Sequence, residues 1–345
     1  QNIALYRKYR PETFEDVIGQ DHIVKAIEGA FESGKVAHAY LLSGPRGTGK
    51  TTIARIIART LGSSVNDIYE MDAASNRKIE DARDIRESVR TMPFDSKYKV
   101  YILDEVHMLT KEAWNALLKT IEEPPAHVIF ILATTELEKV PETIVSRCQT
   151  FIFKKPTDTI LAEVITRVAK KEGYTLAEGG AELIALLASG AFRDALGTLQ
   201  KVISYSKDKK ITLKEIESVT GAPEASLVHS FLDALASNDI EKGYTAIRTA
   251  SEQNIEMLIF LKMILAKLRY ALMLRYAPDS VTYLSEKISV GELKYLQTLI
   301  SSKPIHISSV SLSVLLDTYQ SLRTSVIDEL PLELALIKIL NGEEK

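Results

Sequence analysis

Between residues 38 and 153 the chain alternates between two patterns of apolar positions. Short runs in which nearly every side chain is apolar lie at 38–42, 99–103, 128–133 and 150–153. A run without polar alternation is buried on both faces, as a strand is inside a parallel sheet covered by helices. The first three runs end in polar residues, Ser43-Gly44, Asp104-Glu105 and Thr134-Thr135. In open α/β sheets, ligands gather at the carboxyl ends of the strands. The stretches between the runs predict helices. Ile53, Ile56, Ile57 and Leu61 share one face, and Gly62 ends that helix. Thr110 caps a second helix carrying Trp114, Leu117, Leu118 and Ile121, which Pro124-Pro125 terminate.

After Pro156 the texture becomes helical throughout. Leu161, Val164, Ile165 and Val168 form one stripe, closed by Gly173. Leu183, Leu186 and Leu187 form a second, and Leu196, Leu199, Val202 and Ile203 a third. This small unit ends near Gly221-Ala-Pro223, and longer amphipathic helices follow, such as 257–276 and 310–322. No short-period repeat is present. The expected division is an α/β core over 1–156, a small helical lid over 157–221 and an all-helical domain over 222–345.

Composition narrows the classes of function. With 46% hydrophobic and 26% charged residues, the chain has the proportions of a soluble globular protein. It holds no apolar run of the ~18 residues a membrane span needs, and no secretory apolar segment follows Gln1, which leaves a trimmed N-terminus open. The single cysteine, Cys148, excludes an internal disulfide framework and a Cys-rich metal site, and fits a reducing, cytoplasmic setting. The six histidines lack HxxxH-type spacing, which argues against a zinc enzyme. A net charge of −3 argues against a broadly basic nucleic-acid coat and leaves room for a local basic stripe.

Chemistry concentrates at the strand ends. Gly44-Pro-Arg-Gly-Thr-Gly-Lys-Thr51 matches GxxxxGK[ST] in full, between a predicted strand and a predicted helix. The glycines Gly44, Gly47 and Gly49 let the N–H groups of the loop, Pro45 apart, turn toward phosphates, and the helix N-terminus adds its positive dipole end. Lys50 is expected to reach the β- and γ-phosphates of ATP, and the Thr51 hydroxyl to hold Mg²⁺. Arg46, Thr48 and Thr52 complete the candidate nucleotide-binding set. Asp104 is the second candidate Mg²⁺ ligand, and Glu105 the group that orients or deprotonates the attacking water. Thr135 is placed to hydrogen-bond that water. Arg147 and Arg193 are further candidates, but spacing alone does not separate them from arginines paired with exposed carboxylates.

Taken together, these residues resemble the AAA+ ATPases, their clamp-loader branch, and within it the γ/τ-subunit family of bacterial DNA polymerase III. The resemblance rests on Tyr6-Arg-Lys-Tyr-Arg-Pro11, Phe14, Val17-Ile-Gly-Gln20, the Gly-rich loop, Asp72-Ala-Ala-Ser75 and Asp104-Glu-Val-His107. It continues through Asn115-Ala-Leu-Leu-Lys-Thr120, Glu122-Glu-Pro-Pro125, Ser146-Arg-Cys148 and Arg193-Asp-Ala-Leu196. It implies an AAA+ core, a lid and a helical collar that oligomerises. Tyr9, Arg10, Val17 and Ile18 would form the adenine and ribose pocket. Thr135 would be sensor 1 and Arg193 sensor 2. Arg147 would be an arginine finger acting on a neighbouring subunit's ATP. The implied partners are δ-type and δ′-type subunits, further copies of this chain, a sliding clamp, and primer–template DNA held by its phosphates. Lys78, Arg83 and Lys119 are candidates for those phosphate contacts, with a solvated helix face as the alternative.

One departure stands out. The family usually carries four zinc-binding cysteines between the P-loop helix and the Asp-Ala-Ala-Ser segment, whereas Leu61 leads here through 62–67 directly to Ile68. No zinc is therefore expected. The stop at 342–345 is expected to mark a short γ-like form or a piece of a longer τ-like one. Two other functions compete: another AAA+ DNA-processing ATPase, such as a branch-migration or replication-restart motor, and a nucleotide-binding scaffold without turnover. The intact Lys50, Asp104 and Glu105 argue against the scaffold.

Overall fold

A computed structural model of the chain describes residues 3–76, 78–285 and 287–341. The chain divides into two compact units, Gln1–Leu161 with Ala188–Gly197, and Ala162–Leu187 with Thr198–Lys345.

The first unit is built on a parallel sheet. Its strands are β1 (Ala39–Ser43), β2 (Ile68–Asp72), β3 (Lys99–Asp104), β4 (Val128–Thr134) and β5 (Gln149–Ile152), in spatial order β2-β3-β4-β1-β5. Helices α1 (Leu5–Lys8), α2 (Asp21–Glu32), α3 (Lys50–Thr60), α4 (Ile79–Ser88), α5 (Lys111–Glu122) and α6 (Glu142–Val145) connect or flank the strands. Alternation along the strands splits the core in two. Val100, Ile102, Ile129 and Ile131 pack with Ile23, Ile27, Ile53, Ile56 and Ile57 of α2 and α3 on one face. Tyr101, Leu103, Phe130 and Leu132 pack with Ile85, Trp114, Leu117 and Ile121 of α4 and α5 on the other. Burial of each large side chain contributes ~1.5–3 kcal/mol, which is why the central strands tolerate no polar alternation.

Four strand-like runs are legible in the sequence, and the sheet has a fifth strand. Strand β2, Ile-Tyr-Glu-Met-Asp, sits at the edge and is only partly buried. An edge strand facing solvent needs no apolar run, so hydropathy does not reveal it.

Parallel pairing then aligns the strand ends. Ser43 of β1 lies opposite Thr134 of β4, Leu103 of β3 opposite Leu132, and Asp72 of β2 opposite Asp104. The polar residues that close the strands therefore line one edge of the sheet.

The second unit is mostly helical. Its chain order is α7 (Asp158–Lys171), the short strand β6 (Thr175–Leu176), α8 (Gly180–Ala188), α9 (Phe192–Tyr205), β7 (Lys210–Ile211) and α10 (Leu213–Thr220). Then come α11 (Ala225–Ser237), α12 (Ile240–Glu252), α13 (Met257–Tyr276), α14 (Val281–Ser285), α15 (Val290–Ser301), α16 (Ser309–Leu322) and α17 (Leu330–Asn341). The start of α7 and the first turn of α9 belong to the first unit. Phe231 of α11 and Phe260 of α13 meet edge to face at 6.0 Å. A nearly buried ion pair joins Lys267 to Glu292 at 2.5 Å, with His229 at 3.0 Å from the same carboxylate. Among the described residues no helix is long and apolar enough to cross a membrane.

Candidate active site

The Gly-rich loop leaves β1 at Ser43 and enters α3 at Lys50. Its course depends on glycine at two close approaches. Gly44 has φ +149°, and a Cβ there would lie 2.6 Å from the carbonyl oxygen of Phe153. Gly47 has φ +76° and faces Ala191, whose Cβ would be 2.7 Å from an added one. The same contact is tied by the Phe192 N–H, which donates to the Gly47 carbonyl at 3.0 Å. The Thr48 hydroxyl closes the loop on the Pro45 carbonyl at 2.8 Å.

Lys50 is buried, and its ammonium donates to the carbonyls of Gly44 at 2.7 Å and Pro45 at 3.0 Å. Burial pulls its pKa below the ordinary lysine value, while Glu105 and Asp104 oppose the shift. Next along α3, the Thr51 hydroxyl donates to Asp104 Oδ2 at 2.6 Å, which joins the first turn of α3 to the end of β3. Thr52 is half-buried on the same turn, and Arg46 is exposed on the loop.

Glu105 follows in a left-handed conformation, φ +51°, with its N–H donating to Asp104 Oδ1 at 2.9 Å. Its carboxylate accepts from the Thr135 hydroxyl at 3.2 Å. The ends of β1, β3 and β4 thus bring Lys50, Thr51, Asp104, Glu105 and Thr135 into one cluster.

Beside this cluster opens a cleft of about 680 Å³, lined by Thr51, Asp104, Arg10, Arg55, Glu70 and Arg193 among others. Arg10 is half-buried there, and burial followed by the nearby Arg55 and Arg193 charges lowers its pKa, with Glu70 opposing. The Arg193 guanidinium lies 5.5 Å from the Tyr6 ring centre. Arg55 donates to Glu70 Oε2 at 2.5 Å. A cleft dense in guanidinium groups at a helix N-terminus suits an anionic ligand.

The remaining predicted residues lie elsewhere. Tyr9, Val17 and Ile18 are not on the cleft lining, and Val17 packs against the α2–α3 core. Arg147 is exposed just before β5, where its Nε meets Glu122 Oε1 at 3.0 Å and its Nη1 donates to the Thr143 carbonyl at 2.7 Å. Lys78 precedes α4, Arg83 lies on it and Lys119 lies on α5; all three are exposed, and the two helices pack side by side. Sequence reasoning passed over Arg55, Glu70 and His107. Arg55 had a signal, since it lies four residues after Thr51 and so on the same helical face. Glu70 had none, because strand β2 itself was not visible.

The residues present fit a magnesium ion. A hydroxyl and a carboxylate oxygen converge at 2.6 Å, a hard-oxygen donor pair. Between α3 and β2 the chain runs through residues 61–67, closing in a short turn, Val65–Asp67.

The family described as DNA polymerase III, delta subunit, matches residues 63–157, and that described as magnesium chelatase, subunit ChlI, matches 13–102. The chain is 25% identical to the RuvB Holliday junction branch migration motor of Thermotoga maritima, with a TM-score of 0.53 over 66% of this chain and 79% of that one. It is 36% identical to DNA polymerase III subunit tau of Bacillus subtilis, covering 97% of this chain and 63% of that protein. It is 38% identical to subunit gamma/tau of Mycoplasma pneumoniae, covering 76% of this chain and 42% of that protein. The chain thus spans between about two fifths and two thirds of those two relatives. Against DNA polymerase III subunit gamma of Buchnera aphidicola subsp. Schizaphis graminum the identity is 37%, covering 84% of this chain and 85% of that one. With its P-loop core and a relative matched along most of both lengths, the chain belongs to the DNA polymerase III gamma/tau family.

Proposed function

We propose that this chain hydrolyses ATP as a motor subunit of a bacterial clamp loader, opening a sliding clamp and placing it on primer–template DNA. The observation that carries the reading is the joined cluster at the strand ends: Thr51 bonded to Asp104 at 2.6 Å, with Lys50 buried in the loop and Glu105 bonded to Thr135. Family membership supports the polymerase context.

In this reading the loop and Lys50 bind the triphosphate. Lys50 exchanges its bonds to the Gly44 and Pro45 carbonyls for phosphate oxygens. Thr51 and Asp104 would hold Mg²⁺, which would supply Lewis-acid neutralisation of the phosphate charge. Glu105 orients a water in line with the γ-phosphorus and accepts its proton as the new P–O bond forms and the β–γ bridging bond breaks. Thr135 holds the Glu105 carboxylate toward that water. Arg193 reaches the γ-phosphate from the start of α9. Arg147 acts on the ATP of a neighbouring copy, so turnover depends on assembly with further copies and with δ-type and δ′-type subunits. The tripartite division at about 156 and 221 belongs to this reading, as do backbone contacts from Lys78, Arg83 and Lys119.

The test is steady-state ATP turnover by the chain mixed with δ-type and δ′-type subunits, clamp and primed DNA. Stimulation by clamp and DNA together is expected. Glu105→Gln is expected to bind ATP without turnover, and Arg147→Ala to bind ATP but lose turnover in the assembly. No stimulation in the complete mixture would sink the proposal. Strand displacement or branch migration by the chain alone, without a clamp, would instead favour a translocating motor.

A further inference from the structure

A histidine outside the predicted set faces Glu105. Strand β3 ends at Asp104, Glu105 takes its left-handed conformation, and a single turn, Val106–Met108, carries His107 back toward the strand ends. Val106 is fully buried and anchors that turn. A non-glycine residue stays left-handed only where its surroundings over-determine it. The backbone of Glu105 is therefore fixed, while its side chain still has freely rotating torsions.

Two groups from separate elements limit those torsions. One is the Thr135 hydroxyl, at 3.2 Å from Glu105 Oε2. The other is the His107 ring, whose Nδ1 stands 3.5 Å from the same oxygen and 3.1 Å from Thr134 Oγ1. The opposite ring nitrogen, Nε2, meets Glu136 Oε1 at 3.2 Å. Glu136 is itself held, by Lys139 at 2.7 Å and by its own N–H donating to Thr134 Oγ1 at 3.0 Å. The His107 side chain is only 7% exposed. A buried imidazole carries a polar nitrogen on each edge, and each needs a partner. Here both nitrogens face oxygens, and the ring stands between two carboxylates, one of them at the reacting end of the site.

We infer that His107, braced by Glu136, is a positioning residue that holds the Glu105 carboxylate in its hydrolytic orientation. This rests on the reading of Glu105 as the group that activates water. Loss of the ring leaves the Thr135 hydroxyl as the carboxylate's side-chain hydrogen-bond partner among the described residues, so the carboxylate spends less time aimed at the water. Nucleotide affinity, set by the loop, Lys50 and Thr51, is unaffected.

The experiment compares His107→Leu, His107→Asn and His107→Gln in the full chain, mixed with δ-type and δ′-type subunits, clamp and primed DNA. It reads kcat, KM for ATP, equilibrium binding of a fluorescent ATP analogue, and melting by Trp114 fluorescence. His107→Leu is expected to lower kcat on the order of tenfold, a part of the 10²–10⁴ that a positioned base supplies. KM and analogue affinity stay within about twofold, because the interaction lost acts in the transition state. His107→Asn, whose amide nitrogen reaches the Nδ1 position, recovers most of the loss, and His107→Gln recovers less. Should His107→Leu melt below the assay temperature, the Asn and Gln variants decide: a higher kcat for Asn supports the assignment and equal values refute it. An unchanged kcat, or a KM that rises in step with the loss, overturns it. A wild-type mixture without turnover overturns both this and the ATPase reading, whereas normal turnover by His107→Leu overturns this one alone.

Discussion

Replacing Gly44 with alanine separates the two reasons for a glycine at the start of the loop. An added Cβ would lie 2.6 Å from the Phe153 carbonyl oxygen and 2.8 Å from the Phe153 Cβ. Neither neighbour can yield cheaply. The Phe153 N–H donates to the Ser43 carbonyl at 2.7 Å, and the Gly44 N–H donates to the Thr134 carbonyl at 3.1 Å, so both sides are stitched to the sheet. Overpacking of this kind costs about 1–3 kcal/mol. The backbone at φ +149° adds strain of about 1–2 kcal/mol for any L side chain. The two together make roughly 2–5 kcal/mol, a large share of the ~5–15 kcal/mol that holds a native protein. Gly62 is the matched control: its φ is +78°, and an added Cβ would meet nothing within 4 Å, so Gly62→Ala carries strain without the clash. The assay is urea unfolding followed by Trp114, the single tryptophan, which is buried in the first unit and reports on it selectively. The midpoint for Gly44→Ala is expected below that for Gly62→Ala by about 0.3–1.5 M, from the clash of about 1–3 kcal/mol and m of about 2–3 kcal/mol/M. ATP affinity should fall for Gly44→Ala only, since its loop must leave Phe153. Coincident midpoints, or a Gly62→Ala chain less stable than Gly44→Ala, would refute the steric argument.

Two further outcomes rest on the buried Asp67 and the half-buried Cys148. Burial disfavours the Asp67 carboxylate, but N–H donors from Phe94 at 2.5 Å and Asp95 at 2.9 Å, with the Ser96 and Ser64 hydroxyls, outweigh it and hold its pKa at about 2. A depressed folded value stabilises above the unfolded value of ~3.9 and fades as pH falls toward the folded one. Asp67→Asn should therefore lower stability by about 1–3 kcal/mol at neutral pH, with the gap to wild type closing between about pH 4 and 2; a gap that does not change with pH refutes this. Burial pushes the Cys148 thiol up to about 11. Iodoacetamide at pH 8 should alkylate the folded chain at least about a hundredfold more slowly than the urea-unfolded chain, whose thiol titrates near ~8.5; similar rates would contradict it.

The central part of the site was legible because its chemistry is local. The Gly-rich loop, Lys50 and Thr51 are contiguous, and the Asp104-Glu105 pair ends an apolar run that hydropathy exposes. Arg55, Glu70 and His107 were not legible as a group. Arg55 and Glu70 meet only after α3 crosses to an edge strand with no apolar signature. His107 reaches Glu105, Thr134 and Glu136 only because Glu105 takes a left-handed turn. The Glu122 partner of Arg147 is a contact between α5 and the segment before β5, with nothing in spacing to suggest it.

By itself the sequence determined the sheet-and-helix core, the Gly-rich loop and the acidic pair, because periodicity and glycine placement act over neighbouring residues. The tertiary structure alone decided which side chains converge: the alignment of three strand ends, the arginine-lined cleft beside Thr51, and the second support for Glu105. Those depend on strand register and on the packing of helices against each sheet face, which bring together residues tens of positions apart. Such distances are set by the burial of the whole core, and no local pattern encodes them.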